Sequence, residues 1–371
     1  MAEATGGTPT RIRNRPGSAR AEPLVRLSVL DLVPVRTGQT SAQAVAASLA
    51  LVRVAEEVGA TRYWFAEHHN MPAVASTTPP VLAAAAAAVT ERIRIGSGGV
   101  MLPNHAPFIV AEQFAALEAL APGRVDLGIG RAPGSDPVIT SLLRQSGLAG
   151  DVDRFPDHIA DILSLVRPGG ASLRISSTGR LYPIAATPHA VSAPEMWLLG
   201  SSDYSARLAA QLGLPYVFAN HFSGEGIDRA LSIYREEYRP SEEHPEPETF
   251  LTANVAVAPT AAEARDSALP QARSMARLRL SRGLQPVETI EEALAEVGTD
   301  AVLDDRAEEI MSRWIVADPG TSAARLRELA ERYRVDEVMI SPVAGAHSSD
   351  PLDRVPAREA MLRLLAQELS Q

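Results

Sequence analysis

From Leu24 onward, short apolar runs rich in β-branched residues alternate with longer segments in which apolar positions recur at helical spacing. This alternation is typical of a parallel sheet built from βα units. It predicts eight strands, at residues 25–31, 62–66, 93–100, 125–129, 195–200, 215–219, 251–257 and 336–341. It predicts helices between them, at residues 41–58, 77–90, 107–120, 153–166, 202–212, 225–238 and 321–333.

The number and order of these elements favour a closed (β/α)8 TIM barrel over an open Rossmann sheet. No G-x-G-x-x-G motif opens the first helix, which also argues against the open sheet. In that helix, Ser41 is the predicted N-cap and Gly59 the predicted glycine after the C-terminus.

Three stretches fall outside the regular alternation. Residues 1–23 are rich in Gly, Pro and Arg, which predicts a disordered N-terminal arm ahead of a barrel spanning residues 24–371. Residues 168–194 resemble an inserted hairpin, and residues 259–318 form a long helical excursion before the last strand. Long insertions of this kind often act as lids on barrels.

Composition narrows the function classes. The chain has 371 residues, of which 46% are hydrophobic, so it can bury a large core. A net charge of -10 argues against nucleic acid or an anionic membrane as a partner. The absence of cysteine excludes disulfides and thiolate chemistry, and no apolar run is long enough to span a bilayer. We therefore expect a cytoplasmic protein.

Polar residues and glycines follow several of the predicted strands. Because the carboxyl ends of barrel strands converge on one mouth, these positions are the candidate site. They are Asp31, Glu67 with His68 and His69, Gly98 with Gly99, Arg131, Ser201 with Ser202, and Asn220 with His221.

The stretch "YWFAEHHNMP" turns from an apolar strand into an acid and two imidazoles. Side chains alternate across a strand, so only one of His68 and His69 should face the mouth. The pair could cap the strand, bind a metal with Asp31 and His221, or supply acid/base and cofactor contacts. The last interpretation is favoured.

Two segments carry candidate anion-binding groups. "VDLGIGRAPG" delivers Arg131 to the mouth, where it could bind an anion or form a surface salt bridge. "LLGSSDYSARLAAQLGL" begins a helix with Ser202, Asp203 and Ser205, which could hold a phosphate or simply cap the helix. Asp203 argues mildly against an anion at that residue.

The stretch "IGSGGVMLPNHAPF" places Gly98 and Gly99 inside a predicted strand, which they should weaken. Close approach of a flat ligand or an unusual peptide geometry would explain them. Packing gives no evident reason for these glycines.

Together, "RYWFAEHHNM", "IRIGSGGVMLPNHAP", "AEQFAALEALAPGRVDLGIGRAPG" and "LLGSSDYSARLAAQLGLP" resemble the bacterial luciferase-like monooxygenases. The likeness runs from about Leu24 to Ser341 and is closest to a branch associated with natural-product biosynthesis. It implies a (β/α)8 barrel that binds reduced FMN at its C-terminal mouth, or the deazaflavin F420 in a sister branch.

The resemblance also implies roles for individual residues. His68 matches the active-site histidine of the family, with Glu67 supporting it. Gly98 and Gly99 match a non-prolyl cis peptide beneath the flavin ring. The flavin phosphate would be bound by Arg131, Ser201, Ser202 and Ser205.

Two positions depart from luciferase itself. Gly130 replaces a cysteine beside the flavin, and Ser201 replaces a glutamate in the phosphate turn. A long-chain aldehyde substrate and light emission are therefore not implied for this chain.

The implied activity is a two-component monooxygenation. Reduced FMN from a separate NAD(P)H:flavin reductase would react with O2 to give a C4a-peroxyflavin, which oxygenates a small organic substrate. The alternatives are an F420-dependent hydride-transfer enzyme, a metal-dependent barrel hydrolase using His68, His69, Asp31 and His221, and a non-catalytic flavin-binding protein. Relatives often dimerise, so a homodimer is expected.

Overall fold

The computed structural model describes residues 25–144, 152–189, 191–219 and 226–371. The predictions made for residues 1–23, Asn220 and His221 lie outside these ranges. No helix in the described ranges is both long enough and apolar enough to cross a membrane.

The strands lie close to their predicted positions. They are β1 (Arg26–Asp31), β2 (Arg62–Phe65), β3 (Arg94–Met101), β4 (Val125–Gly130), β5 (Ala171–Arg174), β6 (Leu181–Ile184), β7 (Glu195–Gly200), β8 (Tyr216–Phe218), β9 (Thr249–Val257), β10 (Ile315–Ala317) and β11 (Glu337–Pro342). All eight predicted strands are present.

The helices are α1 (Ser41–Glu57), α2 (Pro79–Ala87), α3 (Pro107–Leu120), α4 (Pro137–Arg144), α5 (Phe155–Val166), α6 (Asp203–Leu212), α7 (Ile227–Glu236), α8 (Ala261–Arg279), α9 (Ile290–Ala295), α10 (Ala301–Met311), α11 (Pro319–Tyr333) and α12 (Pro356–Leu369). The prediction of Ser41 as N-cap is wrong by one residue. Thr40 caps α1, because its hydroxyl accepts from the Gln43 N–H while Gln43 bonds back to the Thr40 N–H in a capping box. Gly59 adopts φ +83° after α1, as predicted.

Parallel pairing closes the sheet into a barrel, which confirms the predicted fold. The order runs β1, β2, β3, β4, β7, β8, β9 and β11, and β11 pairs again with β1. The pairing of β8 with β9, through Tyr216–Phe218 and Thr249–Leu251, completes the ring. The short β10 extends the sheet by pairing with the last residues of β9.

Both irregular stretches contain ordered elements. Residues 168–194 hold the antiparallel hairpin β5–β6, as the sequence indicated. Residues 259–318 hold α8, α9 and α10 and then β10, which the helical pattern did not predict. Helix α8 contacts β9 and β10 and packs on α10, so this excursion lies beside the mouth of the barrel.

The interior of the barrel is filled by side chains and leaves room for chemistry at its mouth. It is built from Leu30, Trp64, Trp197, Val217, Phe250 and Met339, all 1% exposed or less. The rings of Trp197 and Phe250 lie 4.8 Å apart between centroids. These packed side chains close the barrel below the carboxyl ends of the strands, so a ligand can enter only from the C-terminal side.

Candidate functional site

A cavity of about 430 Å3 opens at the C-terminal mouth of the barrel. Strands β2, β3, β4 and β7 and the start of α6 each contribute to it, because their carboxyl ends meet there. Most of the candidate site residues line this cavity, which we call the mouth cavity: His68, Gly98, Gly99, Gly130, Arg131, Ser201, Ser202 and Ser205. Asp31, Glu67 and His69 do not line it, and Asn220 and His221 lie outside the described residues. The strand ends therefore do converge as the sequence indicated.

Alternation beyond the end of β2 separates the two histidines, as predicted. His68 faces the mouth cavity, whereas His69 turns back and places its Nε2 2.8 Å from Glu67 Oε1. Glu67 also bonds His105 Nε2 at 2.8 Å and accepts from the Met101 N–H at 3.0 Å. Glu67 thus joins the chain after β2 to the end of β3.

The expected support of His68 by Glu67 takes a different form from a hydrogen bond. The hydrogen bonds of Glu67 go to His69, His105 and Met101, and its negative charge acts on His68 at short range. Burial lowers the pKa of His68 below its usual 6.5, and the charge of Glu67 opposes this shift. The imidazole is therefore neutral at neutral pH, and its buried Nδ1 has no hydrogen-bond partner among the described residues.

Glu67 is a buried carboxylate, 1% exposed, that stays charged well into acid. Burial alone would raise its pKa, but the hydrogen bonds from His105, His69 and Met101 outweigh burial and lower the pKa from 4.5 to about 2. Its stabilising contribution is complete above pH 4.5 and is lost as the pH falls through about 2.

Glu67→Gln should lower the free energy of unfolding at neutral pH by roughly 2 to 3 kcal/mol, because the amide loses the charge that these donors stabilise. The deficit should narrow as the pH falls below 4.5, where the carboxylate begins to protonate in the unfolded wild-type chain while it stays charged in the folded one. Urea unfolding followed by tryptophan fluorescence across this pH range measures the difference in free energy of unfolding between the two proteins. Glu291→Gln, which removes a solvent-exposed partner of His347, is the matched control and should cost about 0 to 1 kcal/mol. A Glu67→Gln deficit that stays constant down to pH 2 would contradict the assignment.

The peptide bond between Gly98 and Gly99 is cis, as the resemblance implied. The expectation that packing gives no reason for the two glycines is wrong. A Cβ at Gly98 would lie 2.7 Å from Leu30 Cδ1, and one at Gly99 would lie 2.7 Å from the carbonyl oxygen of Gly128. The packed side chains inside the barrel leave no room for a side chain at Gly98, and the close approach of β3 and β4 leaves none at Gly99, while both residues also line the mouth cavity.

The start of α6 and Arg131 form one group at the edge of the mouth cavity. Ser202 is the N-cap of α6, but its side chain makes no capping bond to the helix, and its Oγ lies 3.4 Å from Ser205 Oγ. The first N–H groups of a helix lack intrahelical partners and favour an anion. Arg131 stacks on the ring of Tyr204 in the first turn, with 4.3 Å from its guanidinium carbon to the ring centroid.

Neighbouring residues keep this helix start open. A Cβ at Gly200 would lie 2.1 Å from Ser205 Oγ, so only glycine fits the approach to α6. The carboxylate of Asp203 pairs with Arg229 at 2.7 Å, which balances the charge that argued against an anion here. No ion pair of Arg131 occurs within the described residues, so the surface salt-bridge interpretation finds no support among them.

The luciferase-like monooxygenase family matches residues 25–336, which is most of the chain. The chain belongs to the luciferase-like monooxygenase family. It is therefore an enzyme of the flavin-dependent monooxygenase type, in agreement with the resemblance seen in its motifs.

Two curated relatives of this monooxygenase cover most of its length. The luciferase-like monooxygenase of Escherichia coli (strain K12) is 36% identical over 323 residues, covering 85% of this chain and 91% of that protein. The N-acetyl-S-alkylcysteine monooxygenase of Bacillus subtilis (strain 168) is 32% identical over 327 residues, covering 87% and 94%.

Solved structures share the fold of the monooxygenase. The crystal structure of apo-MsnO8 superposes with a TM-score of 0.81 at 31% identity, covering 94% of this chain and 98% of that one. The FMN complex of the oxygenating constituent of 3,6-diketocamphane monooxygenase from Pseudomonas putida gives 0.67 at 19% identity, with 93% and 98% covered. An F420-dependent secondary alcohol dehydrogenase gives 0.59 at 17%, with 90% and 99% covered. The barrel thus occurs with both FMN and F420.

The monooxygenase does not gather the proposed hydrolase ligands into a metal cluster within its described residues. Asp31 accepts from the Val33 N–H, the Ser48 hydroxyl and the Tyr63 hydroxyl, while His69 is held by Glu67. His221 lies outside those residues. The described part of the chain does contain one group with metal-ligand spacing, Glu195, His244 and Glu248, but Glu195 already pairs with Arg94 at 2.8 Å.

Two residues of the site, His105 and Tyr204, were not predicted from the sequence. His105 follows the end of β3 and shares Glu67 with His69, although it stands in the quoted stretch "PNHAP". Tyr204 lies beside the serines at the start of α6, and its ring packs against the guanidinium of Arg131. A histidine just beyond a strand and an aromatic residue in a first helical turn were the available signals, but their partners are distant in sequence.

Proposed function

We propose that this protein binds reduced FMN in the mouth cavity and uses O2 to oxygenate a small organic substrate. One observation carries the proposal: His68, the Gly98–Gly99 peptide, Arg131 and the start of α6 line a single cavity. A separate NAD(P)H:flavin reductase would supply the reduced flavin. The homodimer expected for this family is part of the proposal, and light scattering of the purified protein measures it.

The residues of the mouth cavity fit a flavin mononucleotide. A phosphate suits the α6 start, where backbone N–H groups and the hydroxyls of Ser201, Ser202 and Ser205 accompany the Arg131 guanidinium. A planar ring suits the backbone of Gly98 and Gly99, where any Cβ would collide with its neighbours. Gly130 adds no side chain to the wall beside them.

Reduced FMN, when bound, would supply two electrons that activate O2, so that one oxygen atom enters the substrate and the other leaves as water. The chain's own residues orient the reactants and manage protons. His68 lines the cavity and is neutral, and its Nδ1 has no hydrogen-bond partner among the described residues, so it can accept and return a proton there. Glu67 does not line the cavity, and we assign it the role of a positioning residue that fixes the chain bearing His68.

Arg131→Ala should weaken FMN binding by about 10- to 100-fold, since it removes charge-assisted hydrogen bonds to the phosphate. Riboflavin, which has no phosphate, should bind the wild type and the variant with similar affinity. Calorimetric titration measures both ligands. Arg207→Ala, on the exposed face of α6, is the control and should retain wild-type affinity for FMN. Equal FMN affinity in Arg131→Ala and wild type would remove Arg131 from the phosphate site.

The activity itself is tested with reduced cofactor and O2. Purified protein is mixed anaerobically with reduced FMN or reduced F420, and O2 uptake is then followed with a flavin reductase and NAD(P)H present. Substrate-dependent O2 consumption with FMN supports the proposal. Hydride transfer with F420 and no O2 consumption would support the dehydrogenase alternative instead. Failure to bind any flavin would contradict both.

A further inference from the structure

A second cavity, which we call the inner chamber, adjoins the mouth cavity. It has a volume of about 100 Å3 and lies between the ends of β1, β9 and β11 and helix α8. His68 lines both cavities. A group bound in the inner chamber therefore lies next to His68, which also borders the proposed flavin site.

The walls of the inner chamber are largely apolar. Met71, Met275, Leu278 and Leu284 contribute to them. An apolar cavity of roughly 150 Å3 in another protein binds benzene, so the smaller inner chamber has room for a short alkyl group. Two of the residues that line the chamber each have a buried polar atom without a partner among the described residues, His68 Nδ1 and Gln271 Oε1.

Arg358 supplies a positive charge to this chamber. It lies in the first turn of α12, is 7% exposed and lines the chamber. Its Nε donates to the carbonyl oxygen of Ala344 at 2.9 Å, but its two Nη groups have no hydrogen-bond or ion-pair partner within the described residues. Buried guanidinium groups are nearly always paired, because an unpaired buried charge is costly.

Asp31 is the nearest counter-charge, but it does not occupy the guanidinium. Its oxygens accept from the Val33 N–H, the Ser48 hydroxyl and the Tyr63 hydroxyl, and it forms no ion pair with Arg358. Asp31 therefore balances part of the charge of Arg358 through space, but it leaves the Nη N–H groups of the planar guanidinium, which form a forked pair of donors, without an acceptor. A carboxylate is the group that such a fork binds best, through two parallel hydrogen bonds.

We propose that the inner chamber selects organic acids, with the substrate carboxylate bound by Arg358 and an apolar group directed along the chamber towards His68. This inference rests on the proposed function, because it names the class of molecule that the oxygenase would accept. It makes Arg358 a specificity-determining residue for that reaction.

Binding to the flavin-free protein tests the inference without any turnover. Propanoate, butanoate and pentanoate are each compared with their methyl ester and primary amide by calorimetric titration of the wild type. The acids should bind about 10- to 100-fold more tightly than their neutral counterparts. Equal affinity for acid and ester, or no binding of any acid at millimolar concentration, would overturn the proposal.

Arg358→Met should remove this preference, and Arg358→Lys should reduce it, because lysine keeps the charge but loses the fork. Arg363→Met, on the exposed face of α12 where it pairs with Glu57, is the matched control and should keep the preference. A preference that survives in folded Arg358→Met would also overturn the proposal. FMN binding is measured on the same samples. Wild-type protein that binds FMN but shows no preference for acids would refute this inference alone, and wild-type protein that prefers acids but does not bind FMN would refute the proposed cofactor site alone.

Discussion

His68→Ala is expected to lower turnover by about 10²- to 10⁴-fold, because it removes the neutral base that adjoins both cavities. FMN affinity should change little, since the phosphate contacts proposed for Arg131 and the α6 start are untouched. Single-turnover oxygenation and FMN titration of the same protein separate the two effects. The pH dependence of the rate should also lose the limb that reflects His68 in the wild type.

Two companion variants make this result specific. His68→Gln keeps a hydrogen-bonding side chain of similar length but cannot titrate, so it should be nearly as slow as His68→Ala if proton transfer is the role. His189→Ala alters an exposed histidine that lines neither cavity, and it should retain the wild-type rate. A His68→Ala enzyme with an unchanged rate would exclude His68 from the chemistry.

Periodicity alone was sufficient to predict the barrel. Parallel strands buried on both faces produce apolar runs such as that of β2, and glycine after α1 ends the helix where its φ of +83° requires it. The three-residue β10 was missed because so short a strand inside a helical region has no measurable period. Helix α12 was not predicted either, although its apolar positions Met361, Leu365 and Leu369 follow a helical spacing.

The mouth cavity could be predicted because strand ends converge by geometry in this fold. What each polar side chain contacts could not, since the partners come from other elements. Glu67 meets His105 from the end of β3, and Arg131 meets Tyr204 from α6. Arg358 reaches the inner chamber from the last helix of the chain, far from any strand end in the sequence. The lack of room for a Cβ at Gly98 could not be predicted either, because the atoms that a Cβ would contact belong to neighbouring strands.

Arg62→Met should lower the free energy of unfolding by about 3 to 5 kcal/mol, because it breaks a buried ion network from one side. Arg62 is 3% exposed and lies at the first residue of β2. Its Nη1 is 3.0 Å from Asp126 Oδ2, its Nε is 2.7 Å from Glu337 Oε1, and its guanidinium carbon lies 4.6 Å from the Trp197 ring centroid. Urea unfolding monitored by tryptophan fluorescence measures the loss.

Arg62→Met should leave Glu337 with fewer close partners than Asp126. Asp126 retains Arg94 and the Trp64 indole N–H, whereas the buried oxygens of Glu337 retain the Ser28 hydroxyl and the more distant Arg26, at 3.7 Å. Glu337 should therefore account for most of the loss, and adding Glu337→Gln to Arg62→Met should recover part of it. If the double variant is less stable than Arg62→Met, the orphaned charge is not the cause. Arg207→Met, which breaks an exposed pair with Glu237, is the control and should cost about 0 to 1 kcal/mol.

The position of the same network leads us to expect that stability and chemistry vary separately in this barrel. Arg62 begins β2 at the closed end of the barrel, and His68 follows the other end of the same strand at the mouth. Trp64 and its neighbours fill the space between the two ends. Arg62→Met that remains folded should accordingly retain FMN affinity, measured by titration well below its unfolding temperature. Weakened FMN binding in that folded variant would show that the packed side chains inside the barrel transmit changes from the closed end to the mouth.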